Sequence, residues 1–352
     1  MTVTINILSV ENSYRRRSRQ RFAMLTLIFI AIIASLLLDV TLGPSGVSLH
    51  SLIQTLLHPD QATPGLRIIV WNIRLPYALM AILVGMSLGL AGAEMQTILN
   101  NPLASPFTLG VSSAAAFGAA LAIVLGIGIS GIPQNWFIPA NAFLFAILSA
   151  LLLNGLTRWN RMPSSCIVLF GIAQVFTFNA LVSIIQFIAD EDTLQGLVFW
   201  TMGSLARASW EELGVLSVAM VLTLPWSLCG AWKLTALRLG EERAISFGID
   251  IRSVHLGALL RISLLAALSV AFVGPIGFIG LVAPHISRLL LGEDHRYYLP
   301  GSLLSGGLIL SLASVASKNI IPGVVLPVGI VTSLVGVPFF LCIVMRQKGN
   351  IS

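Results

Sequence analysis

The side chains best suited to chemistry lie close together in the last third of the chain. They are His285 and Arg288, followed by Asp294, His295 and Arg296. A histidine near a carboxylate could hold a metal ion or transfer a proton. The two histidines are ten residues apart, however, and no HExxH motif or clustered ligand spacing accompanies them. We therefore predict no metal site here and interpret these residues as polar contacts that anchor one face of the protein.

Other catalytic patterns are equally weak. The sequence GPSG at residues 43–46 fits the GxSG pattern of intramembrane serine proteases, but no histidine lies on a partnering segment, and a turn explains it. No GxxxxGK[ST] motif for nucleotide phosphates is present. Cys166, Cys229 and Cys342 lie in apolar runs without CxxC spacing, which is typical of packing residues. We predict that the chain is not itself an enzyme and has no catalytic residue, cofactor or metal.

A compact charged segment, LGEERAISFGIDIRSV at residues 239–254, carries five charged side chains in a chain with only 10% Asp, Glu, Lys and Arg. Glu241 and Glu242 favour the N-terminal end of a short helix, where the helix dipole is positive. Gly248 can end that helix in a left-handed conformation, and Asp250 can cap a second short helix. The pattern predicts a knob of two short helices that another protein could grip. A solvated connecting loop fits the same pattern.

The rest of the chain is apolar enough to belong in a membrane. It is 56% hydrophobic with a mean hydropathy of +0.93, well above soluble domains. A helix needs about 20 apolar residues to cross the hydrocarbon core. We predict an all-α, polytopic membrane protein, with residues 1–352 as one transmembrane domain that includes a short N-terminal tail at about 1–21. The predicted spans number about ten: 22–39, 75–98, 107–129, 137–156, 166–189, 212–231, 253–273, 277–291, 299–317 and 325–345.

The positions of Lys and Arg set the predicted orientation. With the N-terminus in the cytoplasm, most basic residues fall on the cytoplasmic side, as the positive-inside rule requires. These are Arg15, Arg16, Arg17, Arg19, Arg21, Arg158, Arg161, Lys233, Arg238, Arg243, Arg252, Arg288, Arg296, Arg346 and Lys348. The outer side receives only Arg67, Arg74, Arg207 and Lys318. Both termini are predicted to be cytoplasmic, and the net charge of +6 reflects membrane sidedness rather than nucleic-acid binding.

Polar residues on the fifth predicted span could line a hydrated path. Asn179, Ser183 and Gln186 fall within a narrow arc of a helical wheel, whereas Gln174 and Thr177 point elsewhere. Hydrogen bonding between helices explains such a stripe as well.

Several long blocks along the chain resemble those of the permeases of iron-siderophore, haem and vitamin B12 ABC importers, the FecCD family. The blocks are IRLPYALMAILVGMSLGLAGAEMQTILNNPLASPFTLGVSS at 73–113, FWTMGSL at 199–205, GPIGFIGLVAPHISRLLLGEDHRYYLPG at 274–301 and LPVGIVTSLVGVPFF at 326–340. The charged segment is similar to the loop that, in this family, inserts into a cleft of the ATP-hydrolysing subunit. The resemblance implies a type II ABC importer permease in the inner membrane.

The same resemblance implies partners and site residues. The partners are ABC ATPase subunits, a periplasmic or lipid-anchored substrate-binding protein, and a second permease subunit, all within membrane lipid. Coupling to the ATPase falls to Gly240, Glu241, Glu242, Arg243, Ala244, Phe247, Gly248, Ile249 and Asp250. Arg74 and Lys318 match positions that present positive charge to the binding protein, although Tyr77 stands where the family often has another basic residue. Ser164 and Ser165 match positions where the family narrows its pathway into a gate. Asn179, Ser183 and Gln186 remain pathway candidates from their helical stripe alone.

Two questions about function stay open at the level of sequence. A ferric siderophore is the preferred substrate, with vitamin B12 and haem as alternatives. A secondary transporter driven by an ion gradient is the rival class, and such proteins keep ionisable residues deep in the membrane. Here Asp39, Glu94, Arg261 and Arg288 all lie within a few turns of a predicted interface, where long side chains can snorkel to water.

Overall fold

The computed structural model describes residues 7–43, 46–160 and 164–348, and within these ranges the ordered elements are helices. Backbone groups in hydrocarbon find no water to bond, so apolar runs of this length fold as helices. The long apolar helices are α1 (Ile7–Thr41), α4 (Leu75–Ile98), α5 (Val111–Leu125), α6 (Gln134–Asn160), α7 (Ser164–Ile188), α9 (Trp210–Cys229), α12 (Ile251–Val273), α13 (Ile279–Leu291), α14 (His295–Asn319) and α15 (Val328–Lys348). The shorter helices are α2 (Leu49–Leu57), α3 (Pro64–Arg67), α8 (Glu191–Thr201), α10 (Ala231–Leu237) and α11 (Glu241–Ser246).

Each of the ten predicted spans corresponds to one apolar helix. Seven helical stretches in the described residues are long and apolar enough to cross a membrane, and three shorter apolar helices (α5, α13 and α15) complete the set. The polytopic, all-α prediction is confirmed. Of the GPSG motif at residues 43–46, Pro44 and Ser45 lie outside the described residues.

Several predicted boundaries are wrong because backbone breaks interrupt the apolar runs. The span predicted at 107–129 is shorter, since Gly110 and Gly126 adopt left-handed φ values of 83° and 62° on either side of α5. The span predicted at 277–291 begins only at Ile279, after Gly274 (φ 77°) and Phe278 (φ 67°) turn the chain. A positive φ at a residue as bulky as phenylalanine is strained and is not visible in a hydropathy pattern.

The connections at one end of the bundle contain the short helices α2 and α8. The side chain of Ser48 caps α2, and that of Asp190 caps α8 by accepting a hydrogen bond from the Thr193 amide at 2.9 Å. These helices lie across the end that also carries the start of α4 and the start of α9, where Trp210 Nε1 donates to the carbonyl of Trp71 at 2.8 Å.

Helix α4 is the centre of the bundle and is buried along most of its length. Three glycines permit its close contacts. A Cβ added at Gly85 or Gly89 would collide with the backbone of α14, at Gly306 and Ser302. One added at Gly92 would collide with Gly280 of α13. Small residues allow helix backbones to approach closely in lipid, so these glycines serve packing.

Two buried ion pairs connect the spanning helices. Lys318 Nζ lies 2.9 Å from Asp39 Oδ1, joining α14 to α1. Arg261 Nη2 lies 3.0 Å from Glu94 Oε1, joining α12 to α4, and its guanidinium also lies 4.7 Å from the ring of Trp226 on α9. Glu94 is 1% exposed. The expectation that Glu94 and Arg261 snorkel to water is therefore wrong, because each charge is neutralised inside the protein by the other.

Candidate functional site

The charged segment at residues 240–250, called here the coupling segment, has most of the predicted local structure. Helix α11 begins after Gly240 (φ 110°) and is followed by Gly248 (φ 76°). Asp250 then accepts a hydrogen bond from the Arg252 amide at 3.0 Å and caps the next helix. That helix is the spanning helix α12, so the prediction of a second short helix is wrong. The coupling segment is therefore joined directly to a spanning helix.

The coupling segment is anchored on one side and open on the other. Ala244 and Ile249 are buried in the core formed by α4, α10 and α12. The side chains of Ile245 and Phe247 are 62% and 57% exposed, beside the exposed charges of Glu241, Glu242 and Arg243. Apolar side chains rimmed by charges are typical of a surface that binds another protein.

A polar network connects Arg238, which lies just before the coupling segment, to two other parts of the chain. Arg238 Nη2 donates to Glu293 Oε1 at 2.6 Å, and Arg238 Nη1 donates to Asn100 Oδ1 at 3.0 Å. Asn100 has a left-handed φ of 44° just after the end of α4. Glu293 lies in the loop between α13 and α14, so Arg238 connects the coupling segment to the ends of three spanning helices.

Arg288 extends this network inward. Its Nε lies 3.5 Å from Glu293 Oε1, and its Nη2 donates to Gln96 Oε1 and to the Tyr298 hydroxyl, each at 3.2 Å. The hydrogen bond from Arg238, together with the positive charge of Arg238 and Arg288, lowers the pKa of Glu293 below its usual value. A lowered carboxyl pKa means that this pair is complete at neutral pH and is lost only as the pH falls through that lowered value.

The two histidines have structural contacts rather than the arrangement of a metal site. His295 contacts Thr97 Oγ1 at 2.8 Å through Nε2 and Thr235 Oγ1 at 3.1 Å through Nδ1. The ring of His285 lies edge-on to Phe339. Within the described residues no group of three His, Cys, Asp or Glu could hold a metal ion.

Arg74 and Lys318, the predicted docking residues, lie at the opposite end of the bundle and are both buried. Arg74 is 5% exposed and donates from Nη1 to the carbonyls of Val40 and Thr41, at 3.0 and 2.9 Å. Lys318 is paired with Asp39, and its Nζ lies 4.3 Å from the centre of the Tyr77 ring. Tyr77 therefore contacts the cation of Lys318, at a position where the family often has a basic residue of its own. Docking through Arg74 and Lys318 stays a prediction that this burial does not favour, since a partner would have to reach cations already bonded within the chain.

The predicted pathway residues lie on the outward face of α7. Asn179 and Ser183 are exposed, Gln186 is half-buried, and Ser183 Oγ donates to the Asn179 carbonyl at 3.0 Å. Gln174 is buried instead and bonds to Ser149 on α6, which agrees with its place off the stripe. Ser164 and Ser165 form the start of α7, but their side chains lie outside the described residues.

An open groove of about 760 Å³ lies beside the break between α12 and α13. Its walls include Thr201, Pro275, Gly277 and Ser333, together with the apolar side chains of Phe107 and Leu334.

The site residues that sequence reasoning missed are Arg238, Glu293 and the Glu94–Arg261 pair. Arg238 and Glu293 counted only as loop charges in the sequence. The available signal for the pair was an acid and a base, each isolated within an apolar run of predicted spans. Ionisable residues in such positions pair with one another in membranes.

A bundle of long apolar helices, with a charged segment that is anchored on one side and exposed on the other, is the architecture of a membrane-transport permease. The chain belongs to the FecCD transport family, whose model matches residues 27–346. It is accordingly a multi-pass ABC importer permease, and ATP hydrolysis belongs to a partner.

Curated relatives and a solved structure agree with this assignment. The hemin transport system permease protein HmuU of Yersinia pestis is 37% identical over 280 residues, covering 79% of this chain and 84% of that protein. The vitamin B12 import system permease protein BtuC of Yersinia enterocolitica is 36% identical over 282 residues, covering 80% and 83%. A structure described as an inward-facing, metal-chelate type ABC transporter has a TM-score of 0.80 and 30% identity, covering 92% of this chain and 99% of that one.

Proposed function

We propose that this permease imports a ferric siderophore across the inner membrane, with the coupling segment in the cytoplasm and held by a separate ATPase. The observation that carries the proposal is the anchored but open geometry of this segment. Ala244 and Ile249 fix it to the bundle, while Ile245 and Phe247 offer apolar surface to a partner. A force applied to that surface reaches α12 directly, because Asp250 caps that helix.

The mechanism we propose passes that force to other helices through Arg238. Closure of the ATPase pair moves the coupling segment, and Arg238 carries the displacement to Asn100 at the end of α4 and to Glu293 between α13 and α14. Rigid helices that pivot about such contacts can switch access to a central cavity.

A second permease subunit completes the pathway in this proposal. Asn179 and Ser183 lie on an exposed face of a spanning helix, where contact with hydrocarbon would be costly for the asparagine amide. A second chain, identical or related, would cover this face and leave a hydrated path between the two. A substrate-binding protein would deliver the siderophore at the end that carries α2 and α8, where Arg207 is exposed.

The choice of substrate rests on the solved relative described as a metal-chelate transporter. Haem and vitamin B12 are the alternatives, because curated relatives carry those names. The test is uptake into proteoliposomes that contain the permease, its ATPase and its binding protein, with ferric siderophore, haem and cobalamin supplied separately. ATP-dependent uptake of the ferric siderophore alone is the expected result. Uptake of haem or cobalamin in its place would reassign the substrate and leave the family membership intact.

A further inference from the structure

The short helix α2 packs one face against the ends of the spanning helices. Leu52 and Thr55 are buried, and Leu52 shares a hydrophobic cluster with Val40 of α1 and Ala78 of α4. The backbone carbonyl of Thr55 accepts a hydrogen bond from Trp71 Nε1 at 3.2 Å. These contacts fix the position of α2 on the bundle.

A second face of α2 is apolar and exposed. Leu49, Ile53 and Leu57 recur every four residues, and their side chains are 59%, 48% and 69% exposed. Single apolar side chains are common on protein surfaces, but a contiguous apolar stripe marks a surface that contacts lipid or another protein.

The order of the faces around α2 is that of a helix at the edge of a membrane protein. At 100° per residue, the exposed apolar stripe is centred roughly 100° from the buried face. The exposed polar side chains of His50 and Gln54 lie almost opposite the buried face. A helix that lies across the ends of spanning helices has protein beneath it, lipid beside it and water above it, and the three faces follow this order.

The charges around α2 favour lipid over a protein partner. The sequence has no Asp, Glu, Lys or Arg between Asp39 and Asp60. The first two charged side chains after α2 face each other, with Asp60 Oδ1 3.8 Å from Arg67 Nη1. Protein-binding surfaces combine an apolar centre with a polar rim, as the coupling segment does with its exposed charges. The apolar stripe of α2 has no charged residue within its helix.

Neighbouring side chains place α2 at the level of the membrane interface. The ring of Trp71, which bonds to α2, lies 6.4 Å from the ring of Trp210 at the start of α9. Tryptophans are enriched where the hydrocarbon meets the headgroups. Leu37 and Leu38, in the last turns of α1, are exposed, so apolar surface of a spanning helix reaches the same end of the bundle.

We propose that α2 is an interfacial helix, with Leu49, Ile53 and Leu57 inserted between the headgroups and acyl chains of the adjacent leaflet. Amphipathic helices of this kind bury their apolar face about 5–10 Å into that boundary. Because α2 packs on α1 and α4, the inserted stripe holds this end of both helices at a fixed depth. The absence of charge on α2 means that insertion requires no anionic lipid.

The test is electron paramagnetic resonance of the nitroxide-labelled full-length permease in phosphatidylcholine vesicles. A single cysteine is introduced by Ile53→Cys, and the matched control is Gln54→Cys, which is one residue further along and also exposed. Leu37→Cys on α1 is the reference for contact with lipid. In each variant, serine replaces the native Cys166, Cys229 and Cys342.

Collision rates of the label with oxygen and with a neutral nickel chelate report its surroundings, because oxygen concentrates in hydrocarbon and the chelate stays in water. The ratio of oxygen to nickel collisions at Ile53→Cys should exceed that at Gln54→Cys by at least about fivefold, because Ile53 reaches the acyl-chain boundary. The ratio at Ile53→Cys should approach that of the Leu37→Cys reference. Leu49→Cys and Leu57→Cys should give the same result as Ile53→Cys.

Equal ratios at Ile53→Cys and Gln54→Cys would overturn the proposal, as would protection from nickel at only one of the three stripe positions. Accessibility of all three stripe positions to nickel, lost only when the substrate-binding protein is added, would also overturn it. The stripe would then bind a protein instead of lipid.

Discussion

Gly248 is the residue on which the shape of the coupling segment depends most. Its φ is 76°, a conformation that residues with a side chain rarely adopt, yet no atom lies within 4 Å of a Cβ placed there. The position thus requires glycine for its backbone rather than for space.

We predict that Gly248→Leu uncouples transport without preventing membrane insertion. The leucine strains the left-handed conformation by roughly 1–2 kcal/mol, so the turn between α11 and α12 rearranges. Stimulation of the partner ATPase in proteoliposomes should fall at least tenfold while the amount of inserted permease stays the same. Gly214→Leu on α9 is the matched control, since a Cβ there also meets no atom within 4 Å but φ is not left-handed. Normal stimulation by Gly248→Leu would contradict the proposed geometry.

The buried Glu94–Arg261 pair makes a second prediction at the residue scale. Glu94→Gln leaves the Arg261 guanidinium buried without its counter-charge, and breaking a buried pair in this way costs about 3–5 kcal/mol. The free energy of unfolding in detergent should fall by that amount, whereas Glu242→Gln on the exposed coupling segment should change it by less than about 0.5 kcal/mol. Equal stability of the two variants would mean that the pair does not hold α4 to α12.

At the scale of elements, the Arg238–Glu293 ion pair is the contact that we propose carries movement from the coupling segment to the ends of α13 and α14. We predict that Arg238→Glu impairs transport while the ATPase still binds, because the substitution places two carboxylates side by side. Combining it with Glu293→Arg restores an ion pair of reversed polarity and should recover a substantial part of the uptake rate. A double variant no better than the worse single one would show that the pair does not transmit movement.

The existence of the spanning helices follows from the sequence, but their exact ends and contacts do not. Runs of about 20 apolar residues leave little alternative to a helix in lipid. The break at Phe278, by contrast, depends on packing that forces a non-glycine residue into a left-handed conformation. The α2 and α8 helices are too short to stand out in a search for membrane spans, although Ser48 and Asp190 are recognisable caps.

Only the part of the candidate site that depends on local sequence signals could be predicted. Glycine and aspartate carry local signals, so the turn at Gly248 and the cap at Asp250 were foreseeable. Glu94 and Arg261 are 167 residues apart in sequence, and no local pattern pairs them. Similarly, no local pattern pairs Lys318 with Asp39, and only the fold brings the two side chains together.

At the scale of the whole molecule, the exposed polar face of α7 predicts a second permease subunit. In a chain whose Cys166, Cys229 and Cys342 are replaced by serine, Asn179→Cys should form an intermolecular disulfide in membranes if the subunits are identical. With a related second subunit, the cross-link should form to a cysteine at the corresponding position of that chain. Leu222→Cys, on an exposed and apolar part of α9, is the control and should not cross-link. Cross-linking through Leu222→Cys instead would place the partner on another face.

The most direct test of the account is the accessibility of a single cysteine at Phe247 to a membrane-impermeant thiol reagent. We predict labelling of Phe247→Cys in inside-out vesicles but not in right-side-out cells, and protection when the purified ATPase subunit is bound. Tyr14→Cys, at an exposed position in the first turns of α1, should be labelled in the same vesicles whether or not the ATPase subunit is bound. Labelling of Phe247→Cys from outside the cell, or full labelling in the presence of bound ATPase, would contradict the claim that the ATPase subunit binds the coupling segment.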